Sequence, residues 1–193
     1  MFDWPLLSLL VWIPVVAGGL LIALGERFAD LVRPFALLTT VVCLLLSVVL
    51  YAGFDVTTAA MQFEEKTVWI QAFNIHYHLG VDGLSLPLIL LTTLIGVLVV
   101  IGGWTISDRP HQYLASFLML QGLMVGMFGA LDALLFYVFF EAMLVPMFLI
   151  IGIWGGPNRI YATIKFFLFT FFGSVFMLIA LIWMYLQGGS FAI

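Results

Sequence analysis

The sequence predicts an all-α integral membrane protein with about six transmembrane helices. Apolar residues make up 65% of its 193 residues, charged residues only 8%, and the mean hydropathy is +1.25. A soluble domain carries about 25% charged residues, and six Lys and Arg residues are too few to follow a phosphate backbone. The composition therefore excludes a cytosolic enzyme, a nucleic-acid-binding protein and a disordered chain, and it predicts the lipid bilayer as the surroundings.

Six long stretches of nearly uncharged sequence are the basis of this prediction. A helix needs roughly 20 apolar residues to cross roughly 30 Å of hydrocarbon, and each stretch is long enough. The fifth stretch is interrupted only by Glu141 and the sixth only by Lys165. The first lacks the basic start of a signal peptide, so we count it as a helix. We predict helices at residues 5–24, 34–54, 83–106, 111–131, 133–154 and 160–186.

Polar and turn-forming residues separate the predicted helices. Asp82 is suited to begin the third helix, Pro110 to open the fourth and Asp132 to cap the fifth. The segment Gly-Gly-Pro-Asn at 155–158 ends the fifth helix and begins the sixth. Because these connections are short, we predict that helices four, five and six are consecutive antiparallel neighbours.

The distribution of basic residues predicts the orientation in the membrane. Four arginines lie in the first, third and fifth connections, whereas the opposite side holds Lys66 among acidic residues. Basic connections stay in the cytoplasm, so both termini are predicted outside. We therefore expect a multi-pass protein of the bacterial inner membrane with both termini in the periplasm. The four arginines are Arg27, Arg33, Arg109 and Arg159.

The connection at residues 55–82 is the longest and does not span the membrane. From Phe73 to Leu79 apolar and polar residues alternate, which is the pattern of a strand. We predict a hairpin or strand on the outer side, lying over helix ends or pairing with a partner subunit. His76 and His78 share one strand face, but two histidines are a weak metal signal, and we predict surface polarity and no metal site.

Glu141 is the residue that says most about function. It lies roughly 12 Å from the outer end of its helix at ~1.5 Å per residue, too deep for its short side chain to reach water. Insertion scales give about 2.5–3.5 kcal/mol for an acid at the helix centre, so Glu141 requires a partner, water or a proton. We predict a proton or ion role. The alternative is a protonated glutamate that only hydrogen-bonds a neighbouring helix.

Two further residues bear on the role of Glu141. Pro146 lacks the N–H that would bond the carbonyl of Ala142, which leaves an acceptor beside Glu141; the alternative is a kink that only aids packing. Lys165 is the lysine within a predicted span, on the order of 10 Å in height from Glu141. We predict that Lys165 is a proton-relay partner; the alternative is a side chain that reaches the cytoplasmic interface.

Two glycines predict close packing of the fourth helix. Gly122 and Gly126 form a GxxxG pair, and such pairs let the backbones of two membrane helices approach closely. We therefore interpret this pair as a packing feature and not as a binding site.

Two strings of residues resemble a known family. The first is His-Leu-Gly-Val-Asp-Gly-Leu-Ser-Leu-Pro at 78–87, which runs into Leu-Thr-Thr at 91–93. The second is Phe-Glu-Ala-Met-Leu-Val-Pro-Met at 140–147, followed by Gly-Ile-Trp-Gly at 152–155 and Ala-Thr-Ile-Lys-Phe-Phe at 162–167. Over nearly the whole chain, they resemble the N-terminal part of subunit M of the bacterial proton-pumping NADH–quinone oxidoreductase (respiratory complex I), whose mitochondrial counterpart is subunit 4.

The resemblance implies part of an antiporter-like fold of inverted repeats, which moves protons driven by electron transfer elsewhere. It matches Glu141 to the essential glutamate of the fifth helix and Lys165 to a lysine of the sixth. We expect two N-terminal helices (1–54), an outer loop or hairpin (55–82), a third helix (83–106) and an incomplete first half of the proton-translocation domain (107–193). Family members are more than twice as long, so we expect a fragment or a truncated reading frame.

The resulting hypothesis is a membrane-arm subunit of NADH–quinone oxidoreductase that contributes to proton translocation. The chain contains no nucleotide, flavin or iron–sulfur motif, so NADH, flavin, iron–sulfur clusters and quinone are expected in partner subunits, with no redox chemistry in this chain. The expected partners are the other membrane subunits of complex I and the bilayer, and no nucleic acid. The alternatives are a related cation/proton antiporter or membrane hydrogenase subunit and a non-pumping membrane scaffold.

Overall fold

Six long helices and one antiparallel hairpin make up the fold in a computed structural model, which describes residues 4–25, 27–71, 74–188 and 191. Within these ranges, six helices are long and apolar enough to cross a membrane, as the sequence predicts. The helices are α1 (Leu6–Leu24), α2 (Ala29–Ala52), α3 (Ser85–Gly102), α4 (Pro110–Gly129), α5 (Ala133–Trp154) and α6 (Arg159–Gly188), and the strands are β1 (Gln62–Ile70) and β2 (Ile75–Val81).

The start of α2 differs from the prediction. The helix begins at Ala29 and not at residue 34, because an apolar run marks only the part of a helix that lies in hydrocarbon. Asp30 lies in the first turn, where the helix dipole favours an acid. Arg33 Nη2 donates to the carbonyl oxygen of Ile106 at 3.0 Å. The charged first turns of α2 therefore belong to the helix and lie at the end of the bundle where α3 ends.

The fourth helix, α4, is the centre of the bundle. It packs against α1, α2, α3 and α5. Half of its most apolar stretch is buried, against 6% of that of α6. The helices α4, α5 and α6 are consecutive neighbours, as their short connections predict. Because α6 packs mainly against α5, most of its surface is exposed.

Glycines on α4 permit this close packing. A Cβ atom at Gly122 would lie 2.4 Å from the carbonyl oxygen of Val11 on α1, and one at Gly126 would lie 2.8 Å from the ring of Phe139 on α5. Both distances are shorter than van der Waals contact, so only glycine fits. The predicted close packing is confirmed, but the two glycines contact two different helices.

The hairpin of β1 and β2 lies at the end of the bundle where α2 ends and α3 begins. The strand predicted at 73–79 is observed as Ile75–Val81, and Phe73 lies outside the described residues. Leu79 forms a bridge to Ala130 in the connection between α4 and α5. The hairpin therefore lies over helix ends, as predicted.

The two histidines of β2 have different surroundings. His78 Nε2 lies 3.2 Å from Glu64 Oε2, whereas His76 is paired with Val68 across the strands. In the part of the chain that the structure describes, no group of three or more His, Cys, Asp or Glu could hold a metal ion.

Carboxylates bind the helix ends on the hairpin side. Glu65 on β1 accepts hydrogen bonds from the backbone N–H groups of Leu7 at 2.8 Å and Ser8 at 3.1 Å, and from the Ser8 hydroxyl. Asp82 accepts from the N–H and the hydroxyl of Ser85, each at 2.7 Å, and the hydroxyl bond lowers the pKa of Asp82 from its usual value. These bonds satisfy N–H groups of the first helical turns and join the hairpin to α1.

Gly122→Ala is expected to weaken the packing of α1 on α4, because the new methyl group would overlap a backbone oxygen that cannot rotate away. Overpacking of this kind costs about 1–3 kcal/mol. The change is measured as a lower midpoint in a thermal aggregation assay on membranes. Gly173→Ala on α6 is the matched control, since no atom lies within 4 Å of its Cβ position. Equal midpoints for the two variants would contradict this account of α4.

Candidate functional site

Glu141 lies in the middle of α5 and is incompletely bonded. It is the ninth residue of the helix that begins at Ala133, about 12 Å along the axis from that end. Its oxygen Oε1 is buried and has no hydrogen-bond partner among the described residues. A buried polar atom without a partner has a free-energy cost, so this oxygen marks a site that can bind a proton or a polar group.

Packing of α5 on α4 determines which way Glu141 faces. The Phe139 ring lies against Gly126 of α4 and is buried. Successive residues of a helix are rotated by about 100°, so Glu141 lies about 200° from Phe139, on the opposite face. Phe148 is on that same face, and its ring contacts the ring of Phe167 on α6, with centroids 5.6 Å apart. Glu141 is therefore on the side of α5 that faces α6.

Hydroxyl groups line this interface between α5 and α6. Tyr137, one turn before Glu141, interacts with the Glu141 carboxyl and with the Ser174 hydroxyl on α6. Ser174 and Thr163 are buried, and Thr170 lies on the same face of α6, because spacings of four and seven residues return to one face. The predictions from the sequence do not include this row. The signal was the spacing of small polar residues along an otherwise apolar helix.

Pro146 is buried within α5, which is continuous from Ala133 to Trp154. Proline has no N–H to donate to the carbonyl of Ala142. Pro146 lies on the face of Phe139, about 20° from it around the axis. The predicted free acceptor therefore lies next to Glu141 along the chain, within an unbroken helix.

Lys165 is not brought together with Glu141. Its side chain is exposed, and its Nζ lies 5.7 Å from the centroid of the Tyr161 ring on the same helix. Lys165 lies about 200° around the axis from Thr163, which contacts α5 at Gly152. Within the part of the chain that the structure describes, the side chains of Lys165 and Glu141 form no ion pair within 4.0 Å. Lys165 is thus on the face of α6 that points away from α5.

Asp132 anchors the end of α5 nearest to Glu141. Its Oδ1 accepts from the N–H groups of Leu134 at 3.0 Å and Leu135 at 3.2 Å, as the predicted cap requires. Its Oδ2 accepts from the N–H of His76 on β2 at 3.2 Å. The N–H of Ala133 donates to the carbonyl of Phe191 at 2.8 Å. This end of α5 is therefore bonded both to the hairpin and to the segment that follows α6.

The fold and the site define a multi-pass membrane protein whose fifth helix carries a partly buried acid, with one buried oxygen that has no partner among the described residues. A chain of respiratory complex I from Thermus thermophilus with bound NADH has a similar structure, with a TM-score of 0.79, 32% identity and coverage of 96% of this chain and 38% of that chain. The fold also resembles a chain of the archaeal membrane-bound sulfane sulfur reductase (TM-score 0.81, 17% identity, 98% and 39% coverage) and one of the Mrp complex from Dietzia sp. (0.76, 16%, 96% and 20%).

Comparison of sequences is more specific. A family model described as NADH-ubiquinone oxidoreductase chain 4, amino terminus, matches residues 30–128, and one described as NADH:quinone oxidoreductase/Mrp antiporter, TM, matches residues 130–193. NADH-quinone oxidoreductase subunit M of Rhodobacter capsulatus is 47% identical over 96% of this chain, and that of Rickettsia prowazekii 40% over 99%. NADH-ubiquinone oxidoreductase chain 4 of Arabidopsis thaliana is 40% identical over 95%.

The chain belongs to the family of NADH-quinone oxidoreductase subunit M and NADH-ubiquinone oxidoreductase chain 4. The family resemblance predicted from the two residue strings is confirmed. The chain spans 36%, 40% and 38% of the length of these three relatives.

Asp132→Ala is expected to loosen the first turn of α5, because two N–H groups lose their acceptor. Loss of such a cap costs about 1 kcal/mol and is measured as faster hydrogen exchange of the amides at 134 and 135. Asp132→Asn is the matched control, since its side-chain oxygen still accepts and retains most of the protection. Unchanged exchange in Asp132→Ala would rule out the capping role.

Proposed function

We propose that this chain is part of a membrane-arm subunit of NADH–quinone oxidoreductase and that Glu141 binds a proton during proton translocation. The observation that carries the proposal is the buried Glu141 oxygen without a partner among the described residues, at mid-height of a membrane helix. Family membership supports the assignment to this complex. Each elementary charge moved across ~100 mV requires about 2.3 kcal/mol, which electron transfer in partner subunits would supply.

The row of hydroxyl groups supports a route for the proton along the interface of α5 and α6. Hydroxyl groups both donate and accept hydrogen bonds, so Tyr137 and Thr170 can connect Glu141 to its surroundings. The Ser174 hydroxyl donates to the carbonyl of Phe171 at 2.8 Å and can still accept a hydrogen bond. The carbonyl of Ala142, freed by Pro146, is a further acceptor beside the carboxyl. In this proposal Glu141 is the titrating group and the hydroxyls are its neighbours in the relay.

Lys165 is proposed as a relay residue on the other face of α6. Its outward direction argues against a direct ion pair with Glu141 within this part of the protein. A lysine on that face can interact electrostatically with polar or charged groups outside the described residues that pack on α6. Its proposed contribution is to change the electrostatic potential at α5 as its own surroundings change.

The same assignment implies a division of the chain into four segments. We propose that residues 107–193 are an incomplete first half of an antiporter-like proton-translocation domain, following two N-terminal helices (1–54), the outer hairpin (55–82) and a third helix (83–106). The exposed face of α6 supports the proposal that partner subunits bind this chain, because an apolar helix face in a membrane is covered by further helices or by lipid. The proposed partners are other membrane subunits of the complex, which would carry NADH, flavin, iron–sulfur clusters and quinone.

The orientation is proposed from the charges. The hydrogen bonds of Glu65 to Leu7 and of Ala133 to Phe191 put both described ends of the chain on the hairpin side. The arginines are concentrated at the opposite side, which favours the cytoplasm for that side. We propose that the hairpin and both ends face the periplasm of a bacterial inner membrane.

A subunit of a cation/proton antiporter is the second candidate. The description of the matched family over residues 130–193 names both NADH:quinone oxidoreductase and Mrp antiporters. The higher identity of the chain to subunits of the oxidoreductase favours the first candidate. The two candidates differ in whether loss of the chain lowers NADH-driven quinone reduction or cation/proton exchange across the membrane.

Glu141→Gln in the complete protein is expected to abolish or strongly reduce proton-coupled quinone reduction while the complex still assembles. The amide keeps the shape of the side chain but cannot release a proton. The measurement is NADH-driven proton uptake in inverted membrane vesicles, with the amount of assembled complex as the reference.

Two variants are the controls for this experiment. Glu141→Asp keeps a carboxyl displaced by one methylene and is expected to retain part of the activity. Lys165→Ala is expected to have a milder effect, because Lys165 points away from α5. Normal proton translocation and a full oxidoreductase rate in Glu141→Gln would establish a packing role in place of a proton-binding role.

The orientation is tested by labelling single cysteines in sealed spheroplasts with a membrane-impermeant maleimide. Lys66→Cys is expected to react from outside, and Arg109→Cys only after permeabilisation, since these residues lie on opposite sides. The native Cys43 is completely buried and serves as the background. Labelling of position 109 but not of position 66 in sealed spheroplasts would reverse the proposed orientation.

A further inference from the structure

The side chain of Gln121 is buried in the centre of the bundle without a hydrogen-bond partner. It is only 4% exposed, and neither its amide nitrogen nor its amide oxygen is bonded to any described residue. Gln121 is the twelfth residue of α4, which has 20, so it lies near mid-membrane. An amide buried without a hydrogen-bond partner is unfavourable, whereas a leucine of similar size has no polar group that needs a partner.

A glycine on the neighbouring helix makes room for this amide. A Cβ atom at Gly96 of α3 would lie 2.1 Å from Oε1 of Gln121, so any larger residue would displace it. The amide thus lies against the backbone of α3. Gly96 and Gln121 together place a polar group at a position where no described residue of the bundle bonds it.

A cavity adjoins Gln121. It has a volume of about 220 Å³ and lies between α2, α3 and α4, with Thr40, Thr92, Gly96 and Gln121 among its lining residues. On its outer side it is lined by Leu91, which is 50% exposed on the surface of α3. A molecule dissolved in the bilayer can therefore enter from the side.

The lining determines the chemistry of the occupant. Among the described residues that line the cavity none is charged, so an ion would be unstable there. Both threonine hydroxyls already donate to carbonyls of their own helices, Thr40 to Leu37 at 3.0 Å and Thr92 to Leu88 at 2.7 Å. The remaining polar group is the Gln121 amide, whose nitrogen and oxygen are both covered by the surrounding residues. Once the amide turns toward the cavity, its nitrogen is a donor that suits a carbonyl oxygen.

The size of the cavity favours an organic molecule with a carbonyl group over water. A water molecule requires two to four polar partners, and an apolar cavity of about 150 Å³ stays dry and binds benzene. The cavity beside Gln121 is larger than that and mostly apolar. An uncharged molecule with a ring-sized apolar body fits it better than a cluster of waters.

We propose that the cavity between α2, α3 and α4 is a binding site for an uncharged lipophilic carbonyl compound that enters from the bilayer and accepts a hydrogen bond from Gln121. The site lies on a different face of α4 from Gly126, against which α5 packs, and it does not include Glu141. It is therefore independent of the proposed proton site.

The test uses 4-nonylbenzophenone as the probe, because its carbonyl is both the hydrogen-bond acceptor and the photoreactive group. Membranes that contain the full-length protein in its complex are irradiated, and labelled peptides are identified by mass spectrometry. Labelling is expected on α3 and α4 around residues 88–100 and 117–128. Gln121→Leu is expected to reduce it about three- to tenfold, the loss that corresponds to one net hydrogen bond.

Gln187→Leu is the matched control, because Gln187 is exposed near the end of α6 and does not line the cavity. Gln121→Met is a second variant that keeps the side-chain length if Gln121→Leu fails to assemble. Nonyl phenyl ketone in excess is expected to compete with the probe, and decylbenzene, which has no carbonyl, is expected to compete about three- to tenfold less well. Unchanged labelling in both Gln121 variants, equal competition by decylbenzene, or no labelling of these peptides because water fills the cavity would overturn the proposal.

Discussion

The ends of membrane helices must be hydrogen-bonded, and this constraint accounts for many of the few charged residues of the protein. Lipid offers no partner to free N–H and C=O groups. The helices α1, α3 and α5 begin on the hairpin side, and their first turns are bonded to Glu65, Asp82 and Asp132. At the opposite side Arg33 and Arg159 donate to carbonyl oxygens near the ends of α3 and α5. The charge asymmetry that indicates the orientation is therefore also a set of helix caps, with signs that agree with the helix dipoles.

In the interior of the bundle, the glycines of α4 determine how closely the neighbouring helices pack. Because Gly126 leaves space for the Phe139 ring, α5 packs closely on α4 with that face. Glu141, two residues further on, is then turned toward α6. The direction of the Glu141 side chain thus depends on a residue of another helix. Asp132 supports the same arrangement from the hairpin, since one of its oxygens caps α5 and the other binds β2.

The proposed proton function is consistent with this arrangement of the helices. Half of the most apolar stretch of α4, at the centre of the bundle, is buried, whereas α6 is largely exposed. Glu141 lies at the boundary between the two, beside a row of hydroxyl groups that can donate and accept. Lys165 lies on the exposed side of α6, where further helices or lipid would determine its charge and position. Among the described residues, the buried side-chain polar atoms without a hydrogen-bond partner belong to Glu141 and Gln121, which lie at separate places.

The sequence by itself determined the six helices, the hairpin, the caps at Asp82 and Asp132, and the depth of Glu141. These features depend on composition, on local periodicity and on the rise per residue, which are properties of a single segment. Tertiary structure decided which neighbour each helix face meets. It turned Glu141 toward α6, turned Lys165 away from α5, and placed Gln121 over Gly96. Spacing along one helix gives the relative directions of its side chains, but the rotation of the whole helix is determined by its contacts with other helices, and those contacts form only when the bundle is packed.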